Sequence, residues 1–209
     1  MKKPVRYDFL DFSTLALRRR DCEEEVRLNR RLAPDVYLGT VPLTRDASGN
    51  LHLGGEGEVV EWLVKMRRLP AERMLDHVIR QRSVQEADVG KVALLLARFY
   101  RGCPPVELSA EQYRAGFTNA LQLTLRELSV PDYALPRRLV GQLHAAQAHF
   151  LSREAGLFDA RVEAGKIVEG HGDLRPEHIC LTPEPVIIDC LEFNRRLRIV
   201  DPADELAFL

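Results

Sequence analysis

Apolar positions recur with different periods in different parts of the 209-residue chain, and each change of period marks a change of element. The stretch "STLALRRRDCEEEVRLNRRLAP" opens at Ser13 and carries Asp21 and Glu24 in capping-box spacing. It repeats apolar residues at Cys22, Leu28 and Leu32, and stops at Pro34. One helix is predicted there, or two in succession. "VYLGTVPLT", a polar "RDASGN", a short "LHL" and then "EVVEWLV" read as strands joined by turns. Gly54, Gly55 and Gly57 fall between two of these strands. No helix start follows them to supply the dipole and free amides of a phosphate loop, so a turn is expected.

From Pro70 onward the period is helical. Ser83 with Glu86 and Ser109 with Gln112 are spaced as capping boxes, each opening an apolar run. In the second run Tyr113, Phe117, Ala120, Leu121, Thr124 and Leu128 predict a core-facing stripe. A third helix starts near Pro136 and is expected to turn Leu139, Leu143, Ala146 and Phe150 inward; His144 and His149 on it read as structural or exposed. The order is a small mixed region, a connector near residues 62–70, a helical body, and a short hairpin.

That hairpin lies within "EGHGDLRPEHICLTPEPVIIDCLEF", residues 169–193. "ICL" and "VIID" are continuous apolar runs, and the two prolines of the intervening "TPEP" cannot continue either strand. A four-residue connection predicts Leu181 opposite Val186, Ile179 opposite Ile188, and His178 opposite Asp189. Upstream, Gly172 permits a sharp turn and Pro176 stiffens the loop, so that Asp173 curls back over the hairpin mouth. One carboxylate is then free to accept a proton, and a second, with a neighbour, to hold a divalent cation. Phosphoryl transfer uses that arrangement, the metal neutralising phosphate oxygens while a carboxylate orients the attacking hydroxyl.

Composition narrows the field. The formal net charge of −1 provides no basic field for nucleic acid, and the pairs Arg30-Arg31 and Arg67-Arg68 read as solvated helix faces or loop ends. No run approaches the ~20 apolar residues of a membrane span, and "MKKPVRYDF" lacks the apolar core of a secretory signal. A cytoplasmic protein is expected, without membrane or nucleic-acid partners. Cys22, Cys103, Cys180 and Cys190 show no CxxC spacing, which points to reduced thiols and away from zinc.

"HGDLRPEHICL" followed by "IIDCLEF" resembles the HGDxxxxN...D motif of the aminoglycoside phosphotransferase family, within the protein-kinase-like superfamily. "KKPVRYDFLDFSTL", "LNRRLAP" and "LEFNRRLRIVDPADELAFL" are similar to one bacterial branch of it, so the resemblance spans nearly the whole chain. It implies an α+β, kinase-like two-lobed fold, with a reduced N-terminal mixed α/β lobe (1–64) and a mainly helical C-terminal lobe (65–209) carrying the catalytic hairpin.

Carried over by position, the resemblance makes Asp173 the catalytic-loop aspartate and Asp189 the metal ligand. It sets Glu25, or Glu24, on the helix that reaches the ATP lysine. "EWLV" becomes the adenine hinge, with Glu61 and Leu63 as cofactor-binding positions, and Asp204 a supporting acid beneath the catalytic loop. The family's glycine-rich hairpin and lysine strand would precede "KKPV"; Lys2 and Lys3 stand near the lysine's place. The chain is therefore expected to be truncated at both ends, with apolar ends that invite self-association.

His178 replaces the family's metal-binding asparagine, a poor exchange for magnesium, and either assists the metal or hydrogen-bonds the loop. His171 is expected to brace the loop. Glu192 reads as a supporting acid or a solvated one, and Trp62 as a hinge stacker or core filler. The implied activity is transfer of the ATP γ-phosphate, with Mg2+, to a hydroxyl of a small molecule. Two alternatives are a kinase-like binding module without turnover and a metal-dependent hydrolase built on His171, Asp173, His178 and Asp189.

Overall fold

Two short strands, β1 (Arg6–Tyr7) and β2 (Leu10–Asp11), pair antiparallel ahead of the first helix. Thr14, not Ser13, caps that helix: its hydroxyl accepts the Leu17 amide at 3.2 Å, while Ser13 bonds back to Asp11. The helix, α1 (Leu15–Asn29), is continuous, and Asp21 and Glu24 lie within it rather than at a second start. The computed structural model describes residues 1–7 and 9–209 as a mixed α+β chain.

Strands β3 (Tyr37–Arg45), β4 (Leu51–Leu53) and β5 (Glu58–Met66) form an antiparallel sheet in the order β4-β3-β5. Asp46 organises the β3–β4 turn by accepting the Ser48 and Asn50 amides, both at 2.9 Å. The glycines 54, 55 and 57 lie in the β4–β5 turn, as their spacing predicts. Helix α1 lies against β5 and β3.

Beyond the 67–74 connector come α2 (Leu75–Arg80) and α3 (Glu86–Gly102). The expected Ser83 cap does not form. The Ser83 amide and hydroxyl both return to the Val78 carbonyl, closing α2, and α3 starts after Gln85 with no side-chain cap bond. Val92 and Leu96 of α3 join Leu32, Val78, Leu174, Ile179, Leu181 and Ile187 in one core; Val26, Ala33, Val36 and Tyr37 form a second.

Helices α4 (Ala110–Leu128), α5 (Arg137–Arg153) and α6 (Ala155–Glu163) follow. The Ser109–Gln112 capping box forms with both of its bonds. Tyr113, Phe117, Phe150 and Phe158 make an aromatic cluster with ring centroids 5.1–6.4 Å apart. The expected stripe on α5 is reversed. Val140 is its buried residue, whereas Leu139, Leu143 and Phe150 are 51%, 56% and 46% exposed. On α4 only Tyr113 is buried, Phe117 and Leu121 are half-buried, and Ala120, Thr124 and Leu128 are exposed. Periodicity identifies an apolar face but not which of two adjoining apolar faces meets a neighbour.

The remainder is built of short pieces. β6 (Val168–Glu169) pairs with β9 (Ile199–Val200), β7 (Ile179–Cys180) pairs with β8 (Val186–Ile187), and α7 (Pro202–Leu206) is capped by Asp201 through the Ala203 amide. Contacts divide the chain into two units, Met1–Pro104 with Val168–Leu209, and Pro105–Ile167. The lobe boundary expected at 64/65 falls inside the first. All four cysteines are free, and among the described residues no helix is long and apolar enough to cross a membrane.

Candidate active site

The loop from Gly170 to Asp173 is held from beneath by one buried acid. Glu205 of α7, 4% exposed, accepts the His171 amide at 2.9 and 3.1 Å, the Gly172 amide, and the Tyr100 hydroxyl at 2.5 Å. Glycine is required here: a Cβ on Gly170 would stand 2.6 Å from the Glu205 carboxylate, and Gly172 has φ +89°. Asp204, the acid expected in this role, is exposed. The Asp201 cap fixes the start of α7, and that start turns the neighbouring Glu205 inward instead.

His171 is fully buried. Its Nε2 donates to the Ile188 carbonyl at 2.9 Å, and its Nδ1 receives the Asp173 amide at 3.3 Å. Burial pushes its pKa down to about 4, so it is a neutral brace between the loop and the residue that follows β8. With both nitrogens engaged it offers nothing to a metal. No group of three or more His, Cys, Asp or Glu side chains able to hold a metal ion occurs among the described residues. The four-residue hydrolase centre does not assemble.

The hairpin register is one residue off the expected pairing: Ile179 lies opposite Ile187 and Cys180 opposite Val186. Leu181 is drawn out of the hairpin by Arg73, whose carbonyl accepts the Leu181 amide at 2.8 Å and whose Nε bonds the Leu181 carbonyl at 2.7 Å. The connection is therefore five residues rather than four. His178 and Asp189 still meet, because Asp189 adopts a left-handed backbone (φ +64°), and its Oδ2 comes within 3.3 Å of His178 Nε2. His178 Nδ1 donates to the Asp173 carbonyl at 2.8 Å. Of the two roles expected for His178, bonding the loop is the one its contacts display.

Asp173 and Asp189 both keep open carboxylates, their side chains 41% and 63% exposed. Arg175 Nε lies 3.8 Å from Asp173. Asp189 suits a magnesium ion, which takes one or two carboxylates and completes its shell with phosphate oxygens and water.

On α1, Glu25 rather than Glu24 faces the lysine. Lys2 Nζ bonds Glu25 at 2.9 Å and also Glu192, and lies over the Phe12 ring. Burial works to lower the Lys2 pKa, but the two carboxylates outweigh it and raise it; burial also raises that of Glu25, against the pull of Lys2. Glu24 is taken up by Arg27 at 2.6 Å, and Lys3 is exposed, outside this group.

Glu61 and Leu63 are not at a hinge. They lie in the middle of β5, opposite Leu43 and Val41. Pro42, opposite Trp62, has no amide to give, so the hydrogen-bonded pairs are those on either side, and the main-chain groups of Glu61 and Leu63 turn to β3. The strand leaves the sheet only after Met66. The Glu61 carboxylate is a buried partner of Arg18, at 2.8 and 3.0 Å from its Nε. Trp62 is half-buried, with the Arg19 guanidinium 4.6 Å from its ring centroid.

Several residues shape the site without a signal in the sequence. Arg31 binds the Glu169 and Gly170 carbonyls at 2.9 and 2.8 Å, and Arg198, 2% exposed, binds the carbonyls of Leu191 and Glu192 and the Glu169 carboxylate. Arg31 belongs to the pair expected to be solvated; its neighbour Arg30 instead bonds the Tyr37 and Leu38 carbonyls.

No protein-family model matches the chain, and no solved structure does. Over 211 aligned residues the chain is 33% identical to uncharacterised proteins of Mycobacterium tuberculosis, strains H37Rv and CDC 1551, and of Mycobacterium bovis. The alignment takes in the whole of this chain and 41% of each relative, so the chain spans well under half the length of these proteins.

Proposed function

We propose that the chain is an ATP- and magnesium-dependent phosphotransferase of the aminoglycoside phosphotransferase type, with a kinase-like two-lobed fold, acting on a hydroxyl of a small molecule. The observation that carries the reading is the convergence of two open carboxylates, Asp173 and Asp189, on one buried histidine, His178. Asp173 orients the acceptor hydroxyl and takes its proton, from a loop whose amides are bound by Glu205 and His171. Asp189 holds magnesium, which when bound neutralises phosphate oxygens. Lys2, kept charged beside Glu25, is the cation available to the nucleotide phosphates. His178 holds the Asp173 carbonyl and so spaces the two carboxylates.

One observation favours a second reading, a kinase-like binding module without turnover: Lys2 is already neutralised by Glu25 and Glu192. Calorimetric titration with ATP, with and without magnesium, separates the two. The phosphotransferase reading expects magnesium-dependent binding that disappears in Asp189→Ala; absence of binding in the unsubstituted chain contradicts it.

A further inference from the structure

Asp189 is one of three non-glycine residues with positive φ among the described residues, a conformation that aspartate tolerates better than most L-residues and that its surroundings hold in place here. Two consecutive amides are captured here by side chains from the other end of the sequence. The Asp189 amide donates to the Tyr37 hydroxyl at 3.1 Å, and the Cys190 amide to Asn29 Oδ1 at 2.8 Å. Tyr37 and Asn29 are each 1% exposed. The Asn29 side-chain amide donates in turn to the Glu25 carbonyl at 2.9 Å, one turn earlier on α1. The carbonyl before Asp189, that of Ile188, is taken by His171, and the Ile188 amide by the His178 carbonyl. The peptide units on both sides of Asp189 are thus pinned, which fixes the direction of its Cα–Cβ bond, and from there the carboxylate reaches the mouth shared with His178.

We infer that Tyr37 and Asn29 are positioning residues for Asp189, tying the backbone of the metal-side carboxylate to the start of β3 and to the end of the helix that carries Glu25. The inference rests on the phosphotransferase reading for its function, though not for its geometry. Burial pushes the Tyr37 hydroxyl well above its ordinary pKa, so the oxygen meets the Asp189 amide as a neutral acceptor over the whole physiological range. Neither side chain touches substrate or metal; both act through the Asp189 backbone. Groups that orient a metal ligand from behind typically govern metal affinity by about 10- to 100-fold.

The test uses the 209-residue chain with Mn2+ as an oxygen-seeking probe, and compares Tyr37→Phe, Asn29→Ala and Asp189→Ala with the unsubstituted protein. Amide hydrogen exchange is read by NMR, Mn2+ affinity by water proton relaxation, and folding by circular dichroism. Tyr37→Phe is expected to speed exchange at Asp189 and leave Cys190 protected, Asn29→Ala to do the reverse, and each to weaken Mn2+ about tenfold. A purely structural role speeds both amides together, or leaves the Mn2+ affinity unchanged, and either result overturns the inference. If one variant does not fold, the other decides by the same two readings. Absence of Mn2+ binding in the unsubstituted chain counts against the phosphotransferase reading, and the exchange pattern then decides the positioning alone.

Discussion

The two units solve the burial problem in opposite ways. In Met1–Pro104 with Val168–Leu209, short strands and loops are locked by charged and polar groups taken out of water: Arg18 with Glu61, Arg198 with Glu169, Glu205 on two loop amides, His171 on two main-chain groups. In Pro105–Ile167, three regular helices, the first of them closed by a capping box, share an aromatic cluster, yet leave Leu123, Leu139, Leu143, Phe150 and Leu157 between 46% and 63% exposed. Regular helices satisfy their own main chain, so this unit needs few buried polar side chains. Irregular backbone does not, and each turn of the first unit has to find a partner. The candidate site lies where that demand is greatest, and the side chains that hold its loop also fix the backbone from which its carboxylates project.

The sharpest way to break this contrast is to remove one member of a buried ion pair in the first unit. Arg18→Ala leaves the Glu61 carboxylate buried without its partner and is expected to cost about 3–5 kcal/mol in urea unfolding, enough to unfold a marginal chain. A loss under about 1 kcal/mol would show the pair to be incidental.

Acid probes the same unit through His171. Its folded pKa, about 4, is depressed from an ordinary 6.5, so between those values the unfolded chain binds the extra proton. Its contribution is complete above about pH 6.5 and is lost as pH falls towards 4, by roughly 3 kcal/mol in all. Urea midpoints measured from pH 7 to 4 should fall accordingly, and His171→Gln should flatten that dependence.

The smallest effect belongs to the helical unit. Leu143→Ser alters a side chain 56% exposed and should change stability by no more than about 0.5 kcal/mol while improving solubility. A cost of several kcal/mol would mean that Leu143 is covered in solution, and that the two units differ less than their side chains suggest.

Sequence reasoning reached some of this architecture and missed the rest for identifiable reasons. The strands 37–45, 51–53 and 58–66, the Ser109 cap and the meeting of His178 with Asp189 follow from patterns confined to a few neighbouring residues. The hairpin register differs from the expected one because Arg73, over a hundred residues away in the chain, draws Leu181 out of it. "EWLV" lies inside a strand rather than at its end, and nothing in those four residues shows that β5 runs on to Met66. Glu205 could be told from Asp204 only by the start of α7. Tyr37 and Asn29 carry no local mark at all, since their partners are two amides at the far end of the sequence.

The central claim is that Asp173 and Asp189 divide the work at one mouth, the first acting on the acceptor and the second on the metal and nucleotide. Extending the magnesium-ATP calorimetry to Asp173→Asn tests it most directly. The account predicts that Asp173→Asn binds magnesium-ATP within about twofold of the unsubstituted chain, while Asp189→Ala loses magnesium-dependent binding altogether. Equal loss in both variants, or binding indifferent to both, would contradict it.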